Sequence, residues 1–134
     1  MRRAVPAMAA LAASVLTSGC GGSAGDLLAL TASGGIAGGT HTVVVSGDGR
    51  GSCDRGPLQP LPSARVLLAR QVEHDAGDLA KRAASYPPSP DARAYTLRTK
   101  DGVVRWSEGN PGLPKVLPQA QLLALQLEQQ LCRR

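Results

Sequence analysis

The sequence predicts an α+β domain in which a small antiparallel sheet of about four strands carries two main helices on one face. Three observations support this prediction. Two strand-like segments come first, two more flank a tight turn later, and a leucine-rich helical segment follows each pair. Strands joined by short turns are antiparallel, and helices inserted between them cover one face of the sheet. At 134 residues, the chain has room for one domain.

The first half of the chain contains two expected strands and one expected helix. The strands are predicted at residues 26–33 and 41–46, followed by a turn at residues 47–49 and a proline-rich stretch. The helix is predicted to begin at Pro62-Ser63, to be divided by Gly77, and to end before Pro87-Pro88. Apolar residues fall roughly on one side of this helix, which we expect to be buried: Leu67, Leu68, Val72, Leu79 and Ala83.

A β-hairpin is the clearest local pattern in the second half. Asp101-Gly102 is typical of a two-residue turn. That turn places Leu97 opposite Trp106, Thr99 opposite Val104 and Arg98 opposite Arg105. The side chains of one face of the hairpin are expected to be buried: Tyr95, Leu97, Val104 and Trp106. Pro118 suits the first turn of a final leucine-rich helix over residues 119–131.

The N-terminus has the three parts of a secretory signal. Arg2 and Arg3 precede an apolar segment of 13 residues, which is shorter than the about 20 residues that a membrane-spanning helix needs. The segment that ends in Thr17-Ser18-Gly19-Cys20 resembles the lipobox of bacterial lipoproteins, although Thr17 stands where that motif usually has leucine. The resemblance implies cleavage before Cys20 and a lipid on its thiol, which would anchor the protein to the outer face of the cell membrane. The other interpretation is an ordinary signal peptide with Cys20 as a plain thiol.

These observations divide the chain into three parts: a signal peptide over residues 1–19, a flexible tether over residues 20–25 and the domain over residues 26–134. If Cys20 carries a lipid, two cysteines remain, Cys53 and Cys132. Cysteines left over in an exported protein usually pair, so we expect a disulfide between them. Two free buried thiols are the alternative.

Little in the sequence indicates catalysis. His41 and His74 are the only histidines, and no pair of ligands has metal-site spacing. Ser46 and Ser107 lack the context of a nucleophile elbow, and the glycine-rich segment lacks the lysine of a phosphate-binding loop. We therefore predict no enzyme, no metal and no cofactor. The net charge of +5 falls to +3 without residues 1–19, which contain two arginines and no acid, and this mild charge argues against nucleic acid as a partner.

A glycine-rich segment between the first two strands carries a family resemblance. Its six residues, four of them glycine, are Gly34, Gly35, Ile36, Ala37, Gly38 and Gly39. With the hairpin that begins near Tyr95 and the final helix after Pro118, it resembles the emfourin family over roughly residues 27–131. Members of that family inhibit thermolysin-like metalloproteases and usually have phenylalanine at the place of Ile36.

The resemblance implies that residues 34–39 form an inhibitory loop, with Ile36 as the contact residue and a secreted metalloprotease as the partner. Two other interpretations stay open. The segment can be a tight connection that needs glycine for positive φ angles, with Ile36 in the core. The protein can also be an envelope lipoprotein that acts as a structural or docking module without inhibiting a protease.

Overall fold

A computed structural model of the protein describes residues 25–35 and 39–132. Cys20, and with it the predicted signal peptide and most of the tether, lies outside these residues, as do Ile36, Ala37 and Gly38. The described part is α+β, as predicted, with a six-stranded antiparallel sheet and three helices. No helix in these ranges is long and apolar enough to span a membrane.

The elements follow the chain in this order: β1 Asp26–Gly34, β2 Thr40–Ser46, β3 Arg50–Cys53, β4 Gln59–Pro60, α1 Ser63–Asp75, α2 Gly77–Lys81, β5 Arg93–Thr99, β6 Gly102–Ser107 and α3 Val116–Leu131. The strand order across the sheet is β4-β3-β2-β1-β5-β6. Since β1 lies near the middle, it pairs with β2 on one side and with β5 on the other. The chain segment before β5 protects the outer edge of β6, where Tyr86 N donates to Arg105 O at 2.9 Å.

The expected strand number of about four was wrong, because the proline-rich stretch contributes β3 and β4. Neither strand has an alternating apolar pattern, so strand pairing decides their structure: β3 pairs with β2, and β4 pairs with β3. Gly51 in β3 allows α3 to approach closely, since a Cβ there would lie only 2.9 Å from Leu131 Cδ1. Pro60 occupies the outermost strand, where a missing N–H costs no sheet hydrogen bond.

The core is continuous between one set of strand side chains and the helices. In β1 the buried positions alternate, with Leu28, Leu30 and Ala32 each at most 1 % exposed. They form one cluster with buried residues of β2, β5 and β6 and of the helical segments. Helix α1 contacts β1 and α3, helix α2 contacts β5 and β6, and helix α3 also contacts β1, β2 and β3.

The helix predicted after Pro62 begins at Ser63 and is divided into α1 and α2, as expected, although the break lies at Ala76 and Gly77 is the first residue of α2. Of the side chains predicted to be buried, Val72 and Leu79 are buried and Leu68 is half-buried, whereas Leu67 is 65 % exposed and Ala83 is also exposed. Ala69 and Ala76, which were not predicted to be buried, lie in the core. Helix α2 ends at Lys81, before the prolines, because Ala83 adopts a left-handed conformation with φ of 50°.

The hairpin has the predicted buried face but a different register. Leu97 lies opposite Val104 rather than Trp106, Thr99 opposite Gly102, and Arg98 opposite Val103 rather than Arg105. The turn therefore consists of residues 100 and 101, one position earlier than predicted. Gly102 begins β6 with φ of 145°, and a Cβ on it would overlap the Ala80 carbonyl oxygen, so this glycine serves close packing against α2.

The predicted face of the hairpin is still the buried one, because the predicted and observed registers differ by two residues. A shift by an even number keeps every side chain on its own side of the sheet. Tyr95, Leu97, Val104 and Trp106 are all buried, as predicted. The rings of Tyr95 and Trp106 stack with centroids 5.5 Å apart. Trp106 Nε1 donates a hydrogen bond to Gln121 Oε1 at 2.8 Å, which connects the hairpin to α3.

Candidate binding end of the sheet

The glycine-rich segment joins β1 to β2 at one end of the sheet. Gly34, Gly35 and Gly39 have φ of 74°, 75° and 80°, which is the left-handed region that glycine adopts without steric cost. Gly34 N donates to Gly39 O at 3.2 Å and closes the base of the loop. Gly34 and Gly39 are exposed, so the connection leaves the sheet at the surface. The position of Ile36 stays a prediction, because residues 36–38 are outside the described ranges.

An ion pair lies beside this loop and fixes its base. Arg93, the first residue of β5, pairs with Gly34, and a Cβ on Gly35 would lie 3.4 Å from the Arg93 Cβ. Arg93 Nη2 donates to the two carboxylate oxygens of Glu128 in α3 at 2.9 and 3.0 Å. The two side chains are only 19 % and 13 % exposed. Charged hydrogen bonds shielded from water are strong, so they hold the start of β5 against the end of α3.

The predicted disulfide between Cys53 and Cys132 is present, across a sequence separation of 79 residues. It connects the last residue of β3 to the C-cap of α3, at the same end of the sheet as the glycine loop. We use the name loop end for the parts of the chain that meet there: residues 34–35, 39–42, 53–57, 91–93 and 128–132.

A histidine and an aspartate lie next to the disulfide. His41 Nδ1 is 2.7 Å from Asp54 Oδ2 and 4.0 Å from Cys53 Sγ. The other carboxylate oxygen, Asp54 Oδ1, accepts the Thr42 backbone N–H at 2.8 Å. Because Thr42 donates this backbone hydrogen bond and His41 a second one, the pKa of the Asp54 carboxyl lies below its ordinary value of 3.8. Asp54 is therefore a carboxylate at neutral pH.

The backbone at Asp54 and Arg55 is strained. Their φ angles of 48° and 62° lie in the left-handed region, and Gly56 N donates to Cys53 O at 2.8 Å to close the turn. Asp91, just before β5, also has a positive φ of 64°. Residues in such conformations persist only where their surroundings hold them, and they concentrate at binding and catalytic sites. The loop end thus combines three unusual backbone segments on a base held by an ion pair and a disulfide.

The serines considered in the sequence have structural partners. The hydroxyl of Ser46 donates to Asp48 and also contacts Arg50, and that of Ser107 accepts the Ser89 N–H at 3.2 Å. At His41, Asp54 and the nearest sulfur face the same ring nitrogen, whereas a nucleophile and its orienting acid would need one nitrogen each. His74 lies in the last turn of α1 with an exposed side chain. That the chain is not an enzyme stays a prediction.

Sequence reasoning missed the group formed by His41, Cys53 and Cys132, whose potential ligand atoms lie within 4.8 Å of one another. The register of β2 against β3 places His41 here, since Val43 pairs with Cys53. The sequence did not predict that pairing, because β3 has no alternating apolar pattern that would mark it as a strand.

One face of the sheet is partly open to solvent. Arg98 and Arg105 are exposed on it, and the Thr31 and Thr42 hydroxyls lie 3.0 Å apart across β1 and β2. A cleft of about 540 Å³ runs along this side near Val44 and beneath Leu58, whose side chain is 44 % exposed. The cleft is a second surface on which a partner could bind.

No model of a known protein family matches the chain, and no curated protein or solved structure is significantly similar to it. The resemblance to emfourins and to the lipobox therefore stays a prediction from the residues that carry it. The function has to be argued from the geometry of the loop end.

Proposed function

We propose that the protein is an extracytoplasmic lipoprotein, anchored to the cell membrane through lipid on Cys20, whose domain binds and inhibits a secreted thermolysin-like metalloprotease. The position of the glycine loop relative to the tether carries this proposal. Strand β1 connects the tether to the glycine loop, with the tether at the start of the strand and the loop at its end.

The geometry follows from the topology. Gly25, at the end of the tether, accepts a hydrogen bond from Gly47 N at 3.0 Å, beside the turn that follows β2. Strand β1 then continues for nine residues before the glycine loop begins. At roughly 3.3 Å per residue, such a strand is about 30 Å long. A lipid on Cys20 would hold the first end near the membrane and present the loop on the side away from it, where a secreted protease can reach it.

The rigid base of the loop also suits an inhibitor. The Arg93–Glu128 ion pair and the disulfide hold the elements around Gly34 in place. A loop whose base is already held in place loses less conformational freedom when it binds, so the entropic cost of binding is smaller. Glycines around Ile36 reduce side-chain bulk, so that a single apolar side chain could enter a protease cleft.

The inhibitory role is tested by measuring inhibition of a thermolysin-like protease together with thermal stability. Burying one isoleucine side chain is worth about 1.5–3 kcal/mol, so Ile36→Ala is expected to weaken inhibition by about one to two orders of magnitude. Leu67→Ala is the matched control, because Leu67 is an exposed apolar residue on α1. Unchanged inhibition by Ile36→Ala together with a lower melting temperature would instead place Ile36 in the core.

The anchor is tested separately by fractionating cells that express the wild type and Cys20→Ala. The wild type is expected in the membrane fraction, with a mass that corresponds to cleavage before residue 20 and added lipid. Cys20→Ala is expected to be released or to stay as an uncleaved precursor. If the two proteins fractionate and migrate alike, the lipoprotein interpretation is wrong.

A docking module without inhibitory activity is the second candidate, and the cleft beside Leu58 favours it. Val44 lines this cleft on the open side of the sheet. If partners dock there, Val44→Arg is expected to abolish their capture while Ile36→Ala leaves it intact. The inhibitor proposal predicts the opposite pair of results.

A further inference from the structure

Four side chains with metal-binding atoms meet at the loop end, and two of them are joined in the disulfide. They come from three separate parts of the chain: His41 in β2, Cys53 and Asp54 at the end of β3, and Cys132 after α3. We propose that reduction of the Cys53–Cys132 disulfide converts this corner into a Zn²⁺ site, with both thiolates, His41 Nδ1 and Asp54 Oδ2 as ligands. This proposal does not depend on the protease-inhibitor role.

The distances fit a single ion. The potential ligand atoms of His41, Cys53 and Cys132 lie within 4.8 Å of one another, and Asp54 Oδ2 is 2.7 Å from His41 Nδ1. Tetrahedral Zn²⁺ binds nitrogen and oxygen at about 2.0–2.2 Å and sulfur at about 2.3 Å, which separates neighbouring ligand atoms by roughly 3.3–3.8 Å. Shifts of about 1 Å therefore bring the histidine and the aspartate into place, and the two sulfurs separate once their bond is broken.

The aspartate is already oriented for this role. Thr42 N holds Asp54 Oδ1 at 2.8 Å, which leaves Oδ2 directed at His41. Asp54 Oδ2 is therefore the carboxylate oxygen that would bind the metal ion beside His41 Nδ1 once the disulfide is reduced.

The ligand set and its accessibility also favour zinc. Two sulfurs, one nitrogen and one carboxylate oxygen form a set that suits Zn²⁺ and is too soft for Mg²⁺ or Ca²⁺. The His41 and Asp54 side chains are 42 % and 46 % exposed, so an ion can enter from solvent.

The redox step balances. A dithiol transfers two electrons and two protons to the disulfide, becoming a disulfide itself and leaving Cys53 and Cys132 as thiols. Zn²⁺ then displaces the two thiol protons as it binds the thiolates. Disulfide sulfurs carry no charge and are weak ligands, so the oxidised protein does not form this site. Either the covalent bond or the metal ion holds the end of α3 to β3.

Cobalt titration of the metal-free protein tests the proposal. After reduction with a phosphine, one equivalent of Co²⁺ is expected to bind and to give thiolate-to-cobalt charge-transfer absorption, which Zn²⁺ then removes by displacement. The oxidised protein is expected to give no such absorption. His41→Ala is expected to weaken Co²⁺ binding by at least about tenfold. His74→Ala removes the other histidine and serves as the matched control, with unchanged affinity.

If the reduced protein stays folded, either of two results would overturn the proposal: the absence of thiolate–cobalt absorption, or a His41→Ala variant that binds Co²⁺ as tightly as the wild type. If reduction unfolds the chain, the proposal predicts that Zn²⁺ restores the folded-state emission of Trp106, because binding a structural metal is coupled to folding. A reduced chain that stays unfolded with excess Zn²⁺ contradicts it equally.

Discussion

Replacing Gly102 with alanine tests how β6 packs beneath the end of α2. Gly102 has φ of 145°, and an added Cβ would overlap the Ala80 carbonyl oxygen and lie 3.0 Å from the carbonyl carbon. The same oxygen accepts a hydrogen bond from Ala83 N at 3.0 Å, which stabilises the end of α2. The obstructing atoms belong to the main chain, so no side-chain rotation can relieve the overlap.

The expected loss of stability has two parts. A side chain at a backbone conformation reserved for glycine costs about 1–3 kcal/mol. Forcing extra volume into a packed region costs about 1–3 kcal/mol more. Gly102→Ala should therefore lower the free energy of unfolding by about 2–6 kcal/mol, out of the roughly 5–15 kcal/mol typical of a folded domain. Such a loss lowers the melting temperature by roughly 10 °C or more.

Denaturant unfolding followed by circular dichroism measures this loss, and Gly109→Ala separates the two parts. Gly109 has φ of 78° with nothing within 4 Å of an added Cβ, so alanine there introduces backbone strain alone. Ala80→Gly should not rescue Gly102→Ala, because it leaves the carbonyl group in place. If Gly102→Ala destabilises the protein no more than Gly109→Ala does, the steric argument is refuted.

Four further predictions concern the disulfide, the hairpin and the loop end. Cys132→Ser should lower the free energy of unfolding by about 4–5 kcal/mol in the chain-entropy model, given the separation of 79 residues from Cys53. Urea unfolding measures this loss, and a loss below about 1 kcal/mol would contradict it. Trp106 is 2 % exposed, so its emission should be blue-shifted and should move to the red on unfolding; emission like that of free tryptophan would contradict its burial. Gln121→Leu should cost about 1–3 kcal/mol by leaving the indole N–H without its acceptor. Because the folded-state pKa of Asp54 is lowered, the stability it contributes is full above about pH 3.8 and is lost as the pH falls through the lower folded value. The difference in melting temperature between wild type and Asp54→Asn should therefore shrink below pH 4, and a constant difference from pH 7 to pH 2 would contradict this.

Several features followed from the sequence because a short stretch of chain determines them. The strand predicted at residues 26–33 corresponds to β1 over Asp26–Gly34, in which buried and more exposed side chains alternate as they do along a strand. The interruption of the helical segment was predicted at Gly77, a poor helix former, and α1 and α2 are divided one residue before it, at Ala76. The disulfide followed from counting, since only two cysteines remain after the lipobox.

The exposed Leu67 and the hairpin register show where local patterns were insufficient. Leu67 fits the same helical apolar stripe as Val72, but Leu67 is 65 % exposed, whereas Ala69 and Ala76 outside that stripe lie in the core with Val72. Asp101-Gly102 matches a favoured turn, but the approach of Ala80 requires glycine at the start of β6 and moves the turn by one position.

The candidate site was also only partly predictable from the sequence. The glycine loop and the two cysteines are visible in the sequence by composition and count alone. Only the tertiary structure brings His41 beside Asp54 and the disulfide and Arg93 beside the loop, because each contact joins different strands or helices. Strands β3 and β4 depend on the same kind of contact, since Arg50–Cys53 has no pattern of its own and becomes a strand by pairing with β2. A local pattern indicates where a strand or helix forms, whereas the packing of the whole domain determines which of its side chains are buried and which neighbours bury them.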